Sequence, residues 1–152
     1  MHPRYKRDVA ERLARGGLGV VYKQAVEWTG PVGASASVVD GALTVHFDGC
    51  GAGLEMNAVN STVFQPSWSG SRVFEVCASD ECDPTSVDPT LWTEVDATLL
   101  GDCAVSLDAA TARSVRFAWR AFPCNHLGCG LYGVQADGVR LPPRPLWLNV
   151  SA

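Results

Sequence analysis

Ser37-Val38-Val39-Asp40-Gly41-Ala42-Leu43-Thr44-Val45-His46-Phe47 decides the fold class. Asp-Gly between two apolar runs is a two-residue hairpin turn, because both turn positions need positive φ and these two residues tolerate it well. Beyond the turn, Leu43, Val45 and Phe47 alternate with Thr44 and His46. Period-two alternation is the pattern of a strand with one face in a core. His46 falls on the polar side, where a surface position is expected.

The same pattern continues through the chain. Thr62–Phe64, Val73–Val76, Trp92–Leu99, Ala104–Leu107, Ser114–Trp119 and Leu146–Val150 are short β-rich runs bounded by Gly, Pro, Asp and Ser clusters. In one of them Val115, Phe117 and Trp119 form the apolar side, with Arg116 and Arg120 on the other. About seven or eight such strands predict a mainly-β, antiparallel sandwich over residues 30–152.

Residues 1–22 follow a different period. Val9, Leu13 and Val20, with Ala10, Ala14 and Gly17, recur at three-, four- and seven-residue spacings, while Arg4, Arg7, Asp8, Glu11, Arg12 and Arg15 fill the remaining face. Pro3 suits a first helical turn, where its missing N–H is not needed. The segment is predicted as one amphipathic helix, fraying near Gly16–Gly17, and Trp28-Thr29-Gly30-Pro31 marks the turn into the β body. A helix ahead of an all-β body has an apolar stripe to bury, and its small residues suit close contact with another backbone. Self-association through that face is therefore expected.

Composition narrows the function classes. The chain has 152 residues, 47% hydrophobic and 18% charged, which excludes a disordered tail. No apolar stretch approaches the roughly 18 residues of a membrane-spanning helix. Residues 1–15 carry five basic and two acidic groups, and the remainder carries the other 7 basic and 14 acidic ones. So acidic a body offers no field for phosphate backbones, and neither a nucleic acid nor a membrane is an expected partner. The basic start has no apolar core of the kind a secretory signal contains.

Six cysteines lie at Cys50, Cys77, Cys82, Cys103, Cys124 and Cys129. Fifteen connectivities are possible. The preferred set is Cys77–Cys82, Cys124–Cys129 and Cys50–Cys103; zinc held by the two C-x4-C pairs with His126 as a substitute ligand, or free buried thiols, are the alternatives. Asn60-Ser61-Thr62 and Asn149-Val150-Ser151 are N-glycosylation triplets, so Asn60 and Asn149 are candidate glycan sites.

Catalytic motifs are sparse. No Gly-x-Ser-x-Gly turn occurs, and Gly33-Ala34-Ser35-Ala36-Ser37 lacks the second glycine. Gly101-Asp102-Cys103 has the outline of a Gly-Asp-Ser nucleophile turn with Cys substituted, but a structural cysteine is the expected role. Neither a metal nor an organic cofactor is expected. By spacing alone, His2 is an ordinary chain terminus before a helix. Most of the five tryptophans should be core, because their burial is strongly stabilising.

Several of these segments, in this order, resemble the C-terminal portion of sialate O-acetylesterases, members of the SGNH-type hydrolases. His2-Pro3-Arg4-Tyr5-Lys6-Arg7-Asp8-Val9 with Arg12-Leu13-Ala14 is similar to that family's His-Pro-Arg-x-Lys segment and the last helix of its catalytic domain. Gly30-Pro31-Val32 resembles the Gly-Pro start of the following β domain. Phe74-Glu75-Val76-Cys77 closed by Cys82 resembles its Phe-Glu-x-x-Cys stretch, and Val115-Arg116-Phe117-Ala118-Trp119 with Phe122-Pro123-Cys124, Cys129 and Leu131-Tyr132 resembles its Arg-Tyr-Ala-Trp, Trp-Pro-Cys and Cys-Pro-Leu-Tyr run. Leu141-Pro142-Pro143 with Pro145 resembles its closing segment. Phe122 and Gly130 depart from the Trp and Pro often found there.

The resemblance implies hydrolysis of O-acetyl esters on sialic acids or related sugars, in a secreted or lysosomal setting. It implies a general-base role for His2. The nucleophilic serine, the Gly and Asn oxyanion donors and the orienting acid of that family would lie ahead of Met1. This chain is then expected to correspond to the final third or so of such an enzyme and to be inactive by itself. A stand-alone carbohydrate-binding or structural β module is the alternative expectation.

Overall fold

Lys6–Gly16 forms one α-helix, α1, and the chain then widens into a single π-type turn over Gly17–Val21, closed by Tyr22 N–H donating to the Gly17 carbonyl at 3.1 Å. The computed structural model describes residues 6–57, 73–86, 88, 90–119 and 129–151. The predicted weak point at Gly16–Gly17 is where α-helical bonding stops: two adjacent glycines cost helix stability and leave the backbone free to widen.

Eleven strands follow among the described residues: β1 (Val32–Val39), β2 (Ala42–Asp48), β3 (Leu54–Met56), β4 (Phe74–Cys77), β5 (Thr93–Val95), β6 (Ala97–Leu99), β7 (Ala104–Leu107), β8 (Ser114–Phe117), β9 (Leu131–Val134), β10 (Arg140–Leu141) and β11 (Leu146–Ser151). The fold is mainly β, as expected, with one α-helix among the described residues. β1 and β2 meet through Asp40 and Gly41, with φ of 49° and 81° and Val39 paired to Ala42, which is the predicted hairpin. The strand expected at Thr62–Phe64 lies outside the described residues.

The main sheet has eight strands in the order β5-β4-β8-β11-β1-β2-β7-β6, and β10-β9-β3 form a smaller sheet. Its two edge strands, β5 and β6, are consecutive in sequence and separated only by Asp96. Two strands joined by one residue cannot lie far apart, so the sheet curls until its edges meet. The run expected as one strand, Trp92–Leu99, is therefore broken at Asp96, the corner where the chain passes from one sheet edge to the other. The sheet departs from purely antiparallel pairing at the β1–β11 pair, which is parallel, with Ala36 opposite Val150.

Inside the curl, Leu43, Val45, Val105 and Leu107 from one half face Phe74, Val115 and Phe117 from the other, all essentially inaccessible to solvent. The Phe74 and Phe117 rings pack at 4.9 Å between centroids, tilted by 50°, a geometry aromatic quadrupoles favour. Trp119 does not continue this row. β8 ends at Phe117, Ala118 takes φ 54°, and the indole swings out to a half-exposed position. Trp28 and Trp147 are also substantially exposed, and among the described tryptophans only Trp92 is buried. The expectation that most would be core is corrected on this point: these three sit at a linker, a strand end and an outward strand position.

Candidate functional site at the helix and small-sheet junction

The apolar stripe of α1 is uncovered. Leu13 is 72% and Val9 54% exposed, and Val20, Val21 and Trp28 extend the same surface. Together with Arg12 these side chains line an open groove of about 560 Å³, floored by the backbone of Gly16 and Gly17. Trp28 folds back against Gly19, where an added Cβ would fall 2.5 Å from its Cδ1, so glycine is what admits the indole. An exposed contiguous apolar surface of this kind marks a contact site.

Among the described residues, Arg15 ties this helix to the body. Arg15 donates from Nη2 to the Asp137 carboxylate at 2.8 Å and from Nε to the Glu27 carbonyl at 3.0 Å. Asp137 lies in the turn between β9 and β10 and also accepts from Val139 N–H at 3.1 Å. The Arg15 hydrogen bond first, and then the Val139 amide, hold the Asp137 carboxyl below its usual range.

Behind this staple, two segments distant in sequence interlock. Gly30 is buried against the Pro142 carbonyl, leaving no room for a side chain, and the Pro31 ring lies over Gly133 in β9. Arg144 N–H donates to the Pro31 carbonyl at 2.9 Å. The Gly-Pro and Leu-Pro-Pro segments singled out from the sequence are thus two sides of one joint between the helical segment and the sheets. Gln135 is buried beside it, its side-chain amide without a hydrogen-bond partner among the described residues.

On the small sheet, Arg140 lies 4.4 Å above the Tyr132 ring, pairs with Glu55 at 3.1 Å and donates to Asn57 Oδ1 at 2.6 Å. The Tyr132 hydroxyl accepts from Cys129 N–H at 3.1 Å. On the main sheet, Arg116 points away from the core, as its place in the alternation requires, yet it is buried: the loop from Asp83 to Trp92 covers it. Arg116 pairs with Glu75 at 2.9 Å, donates to the Pro84 and Ser86 carbonyls at 3.0 and 2.8 Å, and stacks under Trp92 at 4.2 Å.

Cys50 is bonded to Cys103 and Cys77 to Cys82, with Cα–Cα separations of 5.7 and 6.0 Å. Cys129 is also disulfide-bonded, and Cys124 lies outside the described residues. With Cys103 bridged, the Gly101-Asp102-Cys103 turn offers no thiol nucleophile. With Cys77 and Cys82 bridged, that pair offers no thiolates to zinc. His46 is exposed on β2, and Asn149 is exposed on β11. His2, Asn60 and His126 lie outside the described residues.

Sequence reasoning missed the small sheet altogether. Leu54-Glu55-Met56 and Arg140-Leu141 are too short to establish a period, and Gly133 interrupts Leu131–Val134. The only available signal was the Leu131-Tyr132 pair directly after Cys129-Gly130.

The profile of the family described as "Sialate O-acetylesterase C-terminal domain" matches residues 44–150. Among solved structures, the crystal structure of a carbohydrate acetylesterase from Xanthomonas citri superposes with a TM-score of 0.64 at 25% identity, covering 96% of this chain and 28% of that one. This chain therefore spans little more than a quarter of that enzyme's length. A comparison with curated proteins finds no match.

Proposed function

This chain belongs to the sialate O-acetylesterase C-terminal domain family, and on that premise we propose that it is the C-terminal portion of a carbohydrate acetylesterase that hydrolyses O-acetyl esters on sialic acids or related sugars. The observation that carries the reading is the uncovered apolar face of α1, fastened to the β body by Arg15 and Asp137. A segment of an α/β hydrolase domain, separated from its neighbours, would present such a face. In this reading residues 1–22 are the last helix of an SGNH-type catalytic domain and residues 30–152 its C-terminal β domain. The short coverage of the Xanthomonas citri enzyme agrees with a catalytic portion lying outside these residues.

By resemblance, His2, which precedes that helix in sequence, is the general base. It would take the proton of a serine hydroxyl as the oxygen attacks the acetyl carbonyl, and return it to the departing sugar hydroxyl. In this reading the serine belongs to a catalytic portion with a Gly-Asp-Ser-type segment; the turn of similar outline here, Gly101-Asp102-Cys103, has its cysteine bridged to Cys50. No metal or organic cofactor takes part. The bridged cysteines support a secreted or lysosomal setting.

The test measures acetate release from O-acetylated sialic acid by the 152-residue chain alone and by the same chain joined to a catalytic portion ahead of it. Turnover is expected only when an in-frame Gly-Asp-Ser-type segment is present. There, His2→Ala should lower kcat by at least about three orders of magnitude. Turnover by the 152-residue chain that disappears in His2→Ala would overturn the reading. The second reading, a stand-alone sugar-binding module, is favoured by the exposed Trp119 and Trp147. Saturable binding of a neutral sugar by the 152-residue chain, coupled with an in-frame stop just upstream of Met1, would establish it instead.

A further inference from the structure

The outer face of β11 carries an arrangement that the acetylesterase reading leaves unused. Trp147, Asn149 and Ser151 are its exposed positions, alternating with the more buried Leu146, Leu148 and Val150. Residues two apart on a strand share a face at a separation of about 6.6 to 6.8 Å, so the Trp147 indole and the Asn149 amide stand side by side. Trp147 is 37% exposed at a position where nothing in the core requires an indole. The Asn149 amide is oriented: the Ser114 hydroxyl on the neighbouring strand donates to its Oδ1 at 3.1 Å. That bond turns Nδ2 away from Ser114, and among the described residues Nδ2 has no protein partner. Ser151, the third residue of the Asn149-Val150-Ser151 triplet, donates to the Ala36 carbonyl at 3.0 Å and keeps β11 extended to its end.

We propose that Asn149 is an N-glycosylation site whose first sugar residue rests on the Trp147 indole. The donor class is a lipid-pyrophosphate-linked oligosaccharide. The bond from Asn149 Nδ2 to sugar C1 forms as the bond from C1 to the phosphate oxygen breaks. The pyrophosphate leaves on its lipid, and Nδ2 gives up one proton. The apolar C–H face of a sugar ring stacks on an indole, which accounts for the exposed tryptophan on this strand. An amide already held by Ser114 needs little further ordering when the glycan is attached. The inference is independent of any esterase activity. It requires only the oxidising route that the disulfides also require.

The experiment secretes the full 152-residue chain from a eukaryotic cell behind a cleavable leader, in an Asn60→Gln background so that one triplet remains. Intact mass is measured before and after peptide-N-glycosidase F. A mass loss of one glycan is expected, with Asn149 converted to Asp in the peptide map. The loss should be absent in Asn149→Gln and in Ser151→Ala, and retained in Ser151→Thr, which keeps the hydroxyl and controls for folding. A secreted, disulfide-bonded chain without a glycan on Asn149 overturns the site. For the stacking, Tm should fall when the glycan is removed, and Trp147→Ala should at least halve that fall. An equal fall in both proteins overturns the role of Trp147.

Discussion

Arg116 and Glu75 face each other across β8 and β4, Nε to Oε2 at 2.9 Å, with both side chains only 6% exposed. The pair lies on the outer side of the sheet, away from the core, and is buried because the Asp83–Trp92 loop is drawn down onto it. Arg116 is the fastening: two loop carbonyls accept from its Nη1, and Trp92 stacks on its plane while donating to the Asp83 carbonyl at 2.9 Å. Removing one member of a buried pair leaves the other charge without compensation. Arg116→Ala should therefore cost about 3–5 kcal/mol in urea unfolding, and limited proteolysis should cut first within residues 83–92. Arg116→Lys should not restore stability, because an ammonium cannot reach Glu75 and two carbonyls in one plane. Wild-type stability in Arg116→Ala would show that the loop is held by something else.

The Cys50–Cys103 and Cys77–Cys82 bridges close loops of very different length, 53 and 5 residues. Loop-closure entropy predicts that losing Cys50–Cys103 costs about 4 kcal/mol and losing Cys77–Cys82 about 2 kcal/mol. Paired Cys→Ala variants compared by denaturant midpoint check the order. A larger loss at Cys77–Cys82 would show that this short bridge acts through local packing beside Ser114 rather than through chain entropy.

Asp83 and Asp88 each accept from the hydroxyl and the amide of the threonine two residues on, and those bonds, hydroxyl first, hold both carboxyls below their usual range. Asp137 is lowered in the same direction by Arg15. A carboxyl whose folded pKa is depressed stabilises the fold above its unfolded value, near 3.8, and that contribution is lost as pH falls through the lower folded value. Stability should thus be flat above about pH 5 and decline in acid. NMR titration should find all three carboxyls below that value, and Asp83→Asn combined with Asp88→Asn should make the acid decline shallower. An unchanged pH profile in the double variant would remove these loop carboxylates from the explanation.

The α1 face gives a prediction about assembly. With Leu13 and Val9 uncovered beside the groove, the 152-residue chain should self-associate in sedimentation velocity as concentration rises. Leu13→Glu, or removal of residues 1–22, should return it to a monomer. A chain that is monomeric with and without residues 1–22 would show that the face has no affinity for itself.

Much of the mainly-β character was legible because it rests on neighbours in sequence. The Leu43, Val45, Phe47 alternation, the Asp40-Gly41 turn and the Gly16-Gly17 break depend on residues within a turn or a strand length of one another. The candidate site was less legible. Its helix showed in the spacing of Val9, Leu13 and Val20, but its fastening did not: nothing within a few residues of Arg15 points to Asp137, more than a hundred positions away. The exposure of Trp119 was hidden for a similar reason, since the reversal at Ala118 breaks an alternation that residues 115–119 otherwise extend.

By itself, then, the sequence determined strand and helix identity, the hairpin at residues 40 and 41, and the recurring motifs that announce the family. Tertiary structure decided that β5 and β6 close the sheet around Asp96, that Arg116 is buried on the outer face, and that Gly30-Pro31 meets Pro142 and Gly133. It also decided that the stripe on α1 has no cover among the described residues. The division has one physical cause. Local patterns encode which face of an element is apolar, whereas what lies against that face is set by loop paths and strand order, which bring together residues whose spacing in the chain carries no trace of the contact.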